Sequence, residues 1–359
     1  MADLSNPTAA QRSASQTPPR DTDGGVRVSG LAWRQSETVG DWQVRPVDRS
    51  EIHAAVRLML GRLGELAEDA AVLDFLRFAV ARKIDLGQMQ VVAGDRGGAE
   101  GLKFVATPIA VPGGSAIVSC TAAPPAQIAD AASAALSRAC DGLADAGHKL
   151  AQVLTDPKDQ ALDAIVKSAG FGPIAELVYM LREVPPRPPT PNLPAGVRLE
   201  TFDESAYARF RDTVAETYVG SLDCPALAGV RSMDDVMAGH RAAGDFVPAF
   251  WQLVVRSDEP LGVVLLARVP NRPLAEVVYL GLVPQARGQG LSGPMMQAAL
   301  SAARTQGCDG LTLAVDAANT PAIRLYQRHG MRQIYTRNAW MKRLGQGSGQ
   351  TVVSRPGLA

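Results

Sequence analysis

Apolar residues recur along this chain with two periods, and each change of period marks an element. From residue 42 the pattern becomes that of a folded unit. A strand is predicted at 43–46, then helices over 50–62, capped by Ser50, and 67–83. Runs rich in Val, Ile and Thr predict strands at 89–93, 102–107 and 115–121, the first two joined by the turn Asp95-Arg-Gly-Gly. A helix over 131–146, a strand at 150–154, a helix at 160–168 and a strand near 176–181 complete the unit.

Residues 185–195 carry Pro-Pro-Arg-Pro-Pro-Thr-Pro-Asn-Leu-Pro, which suits an extended, semi-rigid linker. Beyond it the order repeats: a strand at 197–201, helices near 204–218 and 233–242, strands at 251–255, 261–269 and 276–283, a helix from about Leu291 to Thr305, a strand at 311–315 and a helix capped by Asn319. Pro321 suits the first turn of that helix and Gly330 ends it. An offset of 160 pairs Pro124 with Pro284, Gly147 with Gly307, Asp156 with Asp316 and Gly170 with Gly330 without a gap, as an internal duplication would. Residues 1–40 and 345–359 hold little apolar content and are expected to be a disordered and a flexible tail.

Composition narrows the function. Lys plus Arg and Asp plus Glu are 36 each, so no global charge recruits nucleic acid or an anionic membrane. Cys120, Cys140, Cys224 and Cys308 lie far apart with no metal-type spacing, and no apolar run suits a membrane span. A cytoplasmic protein with no metal is expected, as monomer or homodimer.

The chemistry concentrates between Glu276 and Ser292. A Val-, Leu- and Tyr-rich strand ends at Pro284, Gly288 and Gly290 permit backbone conformations that a Cβ would forbid, and a helix opens. Loop amides and a helix N-terminus favour an anion such as a pyrophosphate, with Arg287 beside them. Gly288, Gly290 and Gly293 also spell G-x-G-x-x-G. A Rossmann turn would leave its strand directly, whereas Pro-Gln-Ala-Arg intervenes here.

Gln285-Ala-Arg-Gly-Gln-Gly290 resembles the signature of the GNAT superfamily of N-acetyltransferases. Asn319, Ala322, Leu325, Tyr326 and Gly330-Met331 resemble a second run of that family, with Met in place of its Phe. The resemblance implies an α/β fold, an α+β mixed sheet: two GNAT-like domains in tandem (41–184 and 196–344), each a mostly antiparallel sheet with a splayed central strand pair flanked by helices. It implies acetyl-CoA as cosubstrate, held by Leu282 and Val283 through backbone groups and by Arg287, Gly288, Gln289, Gly290, Leu291, Ser292 and Asn319. Tyr326 would protonate the departing thiolate and Glu276 would act as base, on an amine of a small molecule or peptide. In the residues' own terms, Tyr326 also fits a core aromatic and Glu276 a solvated strand end.

Acceptor choice in the family comes from the first two helices and their loop, which makes Tyr218, Asp223, Cys224 and Arg231 substrate candidates. Ser232-Met-Asp-Asp235 is equally a helix start. The first half has Ile128 and Asp130 at the glycine positions and Val166 in place of Tyr326, so it resembles a GNAT domain without its cofactor site. A CoA-binding module without turnover is the alternative. A second alternative, implied by the tandem arrangement shared with mycothiol synthases, is acetylation of an aminoglycoside-type thiol precursor.

Overall fold

The computed structural model describes residues 32–345 apart from 62–64, 96 and 97. The first half contributes β1 (Glu37–Val39), β2 (Trp42–Pro46), α1 (Ile52–Leu60), α2 (Asp69–Ala81), β3 (Gln90–Ala93), β4 (Leu102–Val111), β5 (Ser115–Cys120), α3 (Ala129–Asp145), β6 (Leu150–Thr155), α4 (Gln160–Ser168) and β7 (Gly172–Glu183). The second contributes β8 (Val197–Thr201), α5 (Tyr207–Thr217), α6 (Met233–Ala242), β9 (Trp251–Arg256), β10 (Glu259–Arg268), β11 (Leu274–Leu282), α7 (Ser292–Thr305), β12 (Gly310–Asp316), α8 (Thr320–Arg328) and β13 (Arg332–Arg343). The 160-residue offset carries α4 onto α8 and β7 onto β13 end to end.

All thirteen strands join one sheet, in the order β1-β2-β3-β4-β5-β6-β13-β7-β12-β11-β10-β9-β8. The last strand of each half therefore sits in the other. β7 pairs with β12 over Leu177–Glu183, β13 pairs with β6 over Asn338–Arg343, and the two exchanged strands pair with each other. The cores follow the exchange: Val178 and Met180 of β7 are buried in the second half's core, and Trp340 of β13 packs on the first half's. The boundaries 41–184 and 196–344 thus follow the chain but not the sheet.

Two further expectations are corrected. Residues 1–31 of the expected tail lie outside the described residues, but the tail does not reach residue 40. Glu37–Val39 forms an edge strand on β2, and the Trp33 indole donates to Asp145 Oδ2 at 3.0 Å beside Gly142, where a Cβ would crowd the ring. β13 has no clear counterpart among the predicted strands. Its four basic residues interrupt any apolar alternation, and its place depends on backbone ladders to strands on both sides. The expected tail 345–359 lies outside the described residues beyond Gly345.

In each half one neighbouring strand pair runs parallel, and briefly. β11 and β12 are in register only from Leu274 with Gly310 to Val277 with Leu313, then both continue and diverge. β5 and β6 do the same over Ser115–Ile117. No helix among the described residues is long and apolar enough to cross a membrane.

Candidate active site

The divergence of β11 and β12 opens a cleft of about 340 Å³, walled by both strands, by α8 and by the loop after α5. Beyond Val277 no ladder partner occupies the β12 side of β11, so backbone groups there face the opening. Leu282 and Val283 end this strand, and Leu282 lines the cleft.

At the mouth, Pro284–Ala286 makes a 3-10 turn, and Gly288 and Gly290 take φ of 77° and 76°. Such angles strain any residue with a Cβ. Leu291 occupies the N-cap of α7 and no side chain caps that helix. Among the described residues, nothing accepts a hydrogen bond from the amides of Gly288, Gln289, Gly290, Leu291, Ser292 or Gly293. A run of unpartnered amides closing on a helix N-terminus is a ready anion site, and the φ values show why glycine stands at both turns. These residues fit a pyrophosphate.

Side chains of the loop also fasten it. The Arg287 guanidinium donates to the carbonyls of Leu282, Gly220, Thr217 and Val219, at 2.7 to 3.3 Å. It is therefore a clamp joining the loop to the C-terminal end of α5, and because carbonyls are neutral its positive charge still stands at the cleft that it lines. Gln289 donates to the Gln285 carbonyl and accepts from Arg256, so only its backbone faces the loop's ligand side. Asn319 caps α8, its Oδ1 accepting from the Ala322 amide at 3.3 Å, and it also lines the cleft.

Tyr326 comes into the cleft from α8 and is only 7% exposed. Burial, and secondarily the charge of Asp223, push its phenol up, so it holds its proton at neutral pH. Glu276, on β11, has no hydrogen-bond or ion-pair partner among the described residues, and burial raises its carboxyl above the usual range. The cleft's own wall begins one residue later, at Val277.

Asp223 is fixed by its backbone neighbours. Its Oδ1 accepts the Asp316 amide at 3.1 Å, while Asp316 Oδ2 accepts the Cys224 amide at 3.2 Å. This reciprocal pair pins the loop after α5 to the end of β12. Burial, with Asp316's charge, raises Asp223. Cys224, whose φ is 44°, does not line the cleft, and burial pushes its thiol up to about 12, which suits no nucleophile. Arg231 turns away towards the first half and reaches Ser115 Oγ at 3.4 Å. Tyr218 backs the site: its hydroxyl meets His240 Nε2 at 3.1 Å and its ring stands edge-on to Tyr279. Burial, then Arg231, push His240 down to about 4, so it is neutral.

Sequence reasoning missed Asp316, which anchors the loop after α5, and Thr217, Tyr279 and Ala314, which line the cleft. Asp316 had a signal, the offset match to Asp156. Ala314 had none, because a small residue on a strand is silent until its neighbours are known.

The first half closes where the second opens. Ile128, at the position of Gly288, has a φ of −103° and is buried in the core. The Ala123 amide donates to Asp159, the counterpart of Asn319, which ties the segment after β5 to α4.

The splayed strands, the open amide loop and the α8 tyrosine all fall within one stretch of the second half that resembles a known family. Residues 222–331 match the family Acetyltransferase (GNAT) family. The chain is 33% identical to a mycothiol acetyltransferase of Thermobispora bispora over 45% of its own length and 56% of that protein. To one of Actinosynnema mirum it is 31% identical over 44% and 52%. It thus spans about half the length of the curated relatives it matches. A GCN5-related N-acetyltransferase from Sphaerobacter thermophilus has a similar fold, with a TM-score of 0.61 at 18% identity over 87% of this chain and 98% of that one.

Proposed function

We propose that the second half transfers an acetyl group from acetyl-CoA directly to a primary amine within one ternary complex. What carries the reading is the open amide run of residues 288–293 at the mouth of a cleft that also holds Tyr326. Acetyl-CoA supplies an activated thioester. Glu276 takes the ammonium proton, directly or through one water, and the freed nitrogen forms the new C–N bond as the C–S bond breaks. Tyr326 gives its proton to the departing thiolate and regains one from the new amide nitrogen, which must shed its extra proton to become neutral. The directions suit the roles: burial makes Glu276 a better base and keeps Tyr326 in its donating form. The first half binds no CoA in this reading, since Ile128 occupies the amide path.

The names of the relatives favour one particular acceptor, that of a mycothiol acetyltransferase. A CoA-binding module without turnover would have no use for Tyr326 and Glu276 in these settings.

Calorimetry on the full chain tests the reading. Wild type is expected to bind one acetyl-CoA per chain, and Gly290→Asp none, because a carboxylate and a Cβ enter at a φ of 76° where phosphate must approach. Unchanged affinity in a folded Gly290→Asp protein would remove the reading, and two CoA per chain would remove the inactive first half.

A further inference from the structure

The exchanged strands carry one contact twice. Arg182 of β7 donates from its guanidinium to the His329 carbonyl, and Lys342 of β13 donates from its ammonium to the Ala169 carbonyl at 2.8 Å. Both donors and both acceptors are related by the 160-residue offset. Each half thus sends a cation across to the C-terminal end of the other half's last helix.

Those helices end alike. The Gly330 and Met331 amides donate to the Gln327 and Tyr326 carbonyls, as the Gly170 and Phe171 amides do to those of Lys167 and Val166. This closure, with the glycines at φ of 77° and 86°, leaves the carbonyl of the capping residue, His329 or Ala169, for the cation. The cation also meets the negative end of the helix dipole. At α8 the fit is close, since a Cβ on Gly330 would lie 3.4 Å from the Arg182 guanidinium carbon.

What differs is the load on each helix. In α4 the residue whose carbonyl closes the last turn is Val166, buried in the core. In α8 it is Tyr326, whose ring enters the cleft. With nine residues α8 is too short to hold its own form, and Asn319 fixes only its start. The end that carries Tyr326 is tied to Arg182. That residue stands opposite Leu311 of β12, so the strand that walls the cleft also locates the end of α8.

We propose that Arg182 is a positioning residue for acetyl transfer: a side chain of the first half, on the exchanged strand, sets where the Tyr326 hydroxyl stands by holding the C-terminal end of α8. This rests on the acetyl-transfer reading, in which Tyr326 protonates the thiolate, and adds the residue through which the half without a cofactor site acts on that step. Misplacing a reacting group by about 1 Å can cost about a hundredfold in rate. Lys342 makes the same contact on a helix without chemistry and is the control.

The test uses the full chain. Arg182→Met keeps the apolar stem and removes the donor, and Lys342→Met does the same at the equivalent place. Turnover is followed as CoA thiol release from acetyl-CoA with glucosamine and with 1,4-diaminobutane. The surroundings of Tyr326 are followed by fluorine NMR of protein labelled with 3-fluorotyrosine, its resonance assigned by its loss in Tyr326→Phe. Both Met variants are expected to melt below wild type. Only Arg182→Met is expected to shift the Tyr326 resonance and to lower kcat, by about tenfold, with the KM of acetyl-CoA unchanged. Arg182→Lys should restore both, because a lysine serves at the equivalent place. Arg182→Met combined with Tyr326→Phe should be no slower than Tyr326→Phe alone, since a residue acting through the hydroxyl then has nothing to act on. If Arg182→Met does not fold, Arg182→Gln, polar but too short to reach the carbonyl, takes its place. Wild-type kcat in Arg182→Met, equal kcat losses in Arg182→Met and Lys342→Met, or losses that add in the double variant overturn the proposal. A slow Tyr326→Phe beside a wild-type Arg182→Met sinks the positioning role alone, whereas Tyr326→Phe at the wild-type rate sinks the acid and with it the residue that would place it. The fluorine spectrum needs no acceptor, so where neither amine is turned over an unmoved Tyr326 resonance in Arg182→Met overturns the positioning role.

Discussion

In the proposed mechanism, Tyr326 and Glu276 separate what a residue does for chemistry from what it does for the fold. Tyr326→Phe removes one hydroxyl from a ring buried in the core, so turnover is expected to fall about a hundredfold with acetyl-CoA affinity nearly unchanged, measured by steady-state kinetics and calorimetry. Glu276→Gln should lose turnover most at low pH and recover as rising pH frees the amine by itself. Its effect on stability has the opposite sense. Burial raises the Glu276 carboxyl, so the fold retains a proton that the unfolded chain releases, and stability falls as pH rises from the unfolded pKa through the folded one. Glu276→Gln removes that penalty. Its melting temperature is expected above wild type at pH 8, with the difference vanishing below about pH 4, where both states are protonated. A motif singled out Tyr326 in the sequence and a strand position singled out Glu276. Asp223 was singled out together with Cys224 and Arg231 of the same loop, and the sequence could not separate them, since their partners, the Asp316 amide for Asp223 and Ser115 for Arg231, lie far along the chain.

Loops and helix ends carry the site, and Arg287 shows how one side chain can hold several together. A helix leaves its last carbonyls without internal partners, and the Arg287 fork takes Thr217 and Val219 at the end of α5 while its own loop presents amides to the cleft. Arg287→Met is expected to lower stability by about 1–2 kcal/mol in urea titrations and to weaken acetyl-CoA binding, both through the loosened loop. A direct phosphate role would weaken binding at unchanged stability. The glycines and the helix start near Leu291 could be read from sequence because turn chemistry is local. The clamp could not, since three of its four partners, Thr217, Val219 and Gly220, lie 67 to 70 residues away. For the same reason β13 went unread while its counterpart β7 was found in part: near 176–181 β7 has Leu177, Val178 and Met180, whereas β13 is interrupted by charge.

At the scale of the whole molecule the duplication was legible and the exchange was not, because exchanging two equivalent strands changes no local pattern. Removing residues 1–184 deletes β7, strips Val178 and Met180 from the second half's core and leaves β12 with an open edge. The remaining fragment is expected to aggregate or to bind no acetyl-CoA, whereas supplying residues 32–184 as a separate chain should restore soluble, binding-competent protein. Size-exclusion chromatography and calorimetry check both outcomes. The exchange also sets an order in time. During synthesis β6 is made well before its partner β13, so a nascent first half waits with one edge unsatisfied until almost every residue described here has left the ribosome. Neither half can finish alone, and the pairings that complete them span the longest separations in the sheet, which slows the search for them. Hydrogen-exchange labelling during refolding should therefore show β6, β7, β12 and β13 gaining protection together and late, as one cooperative step.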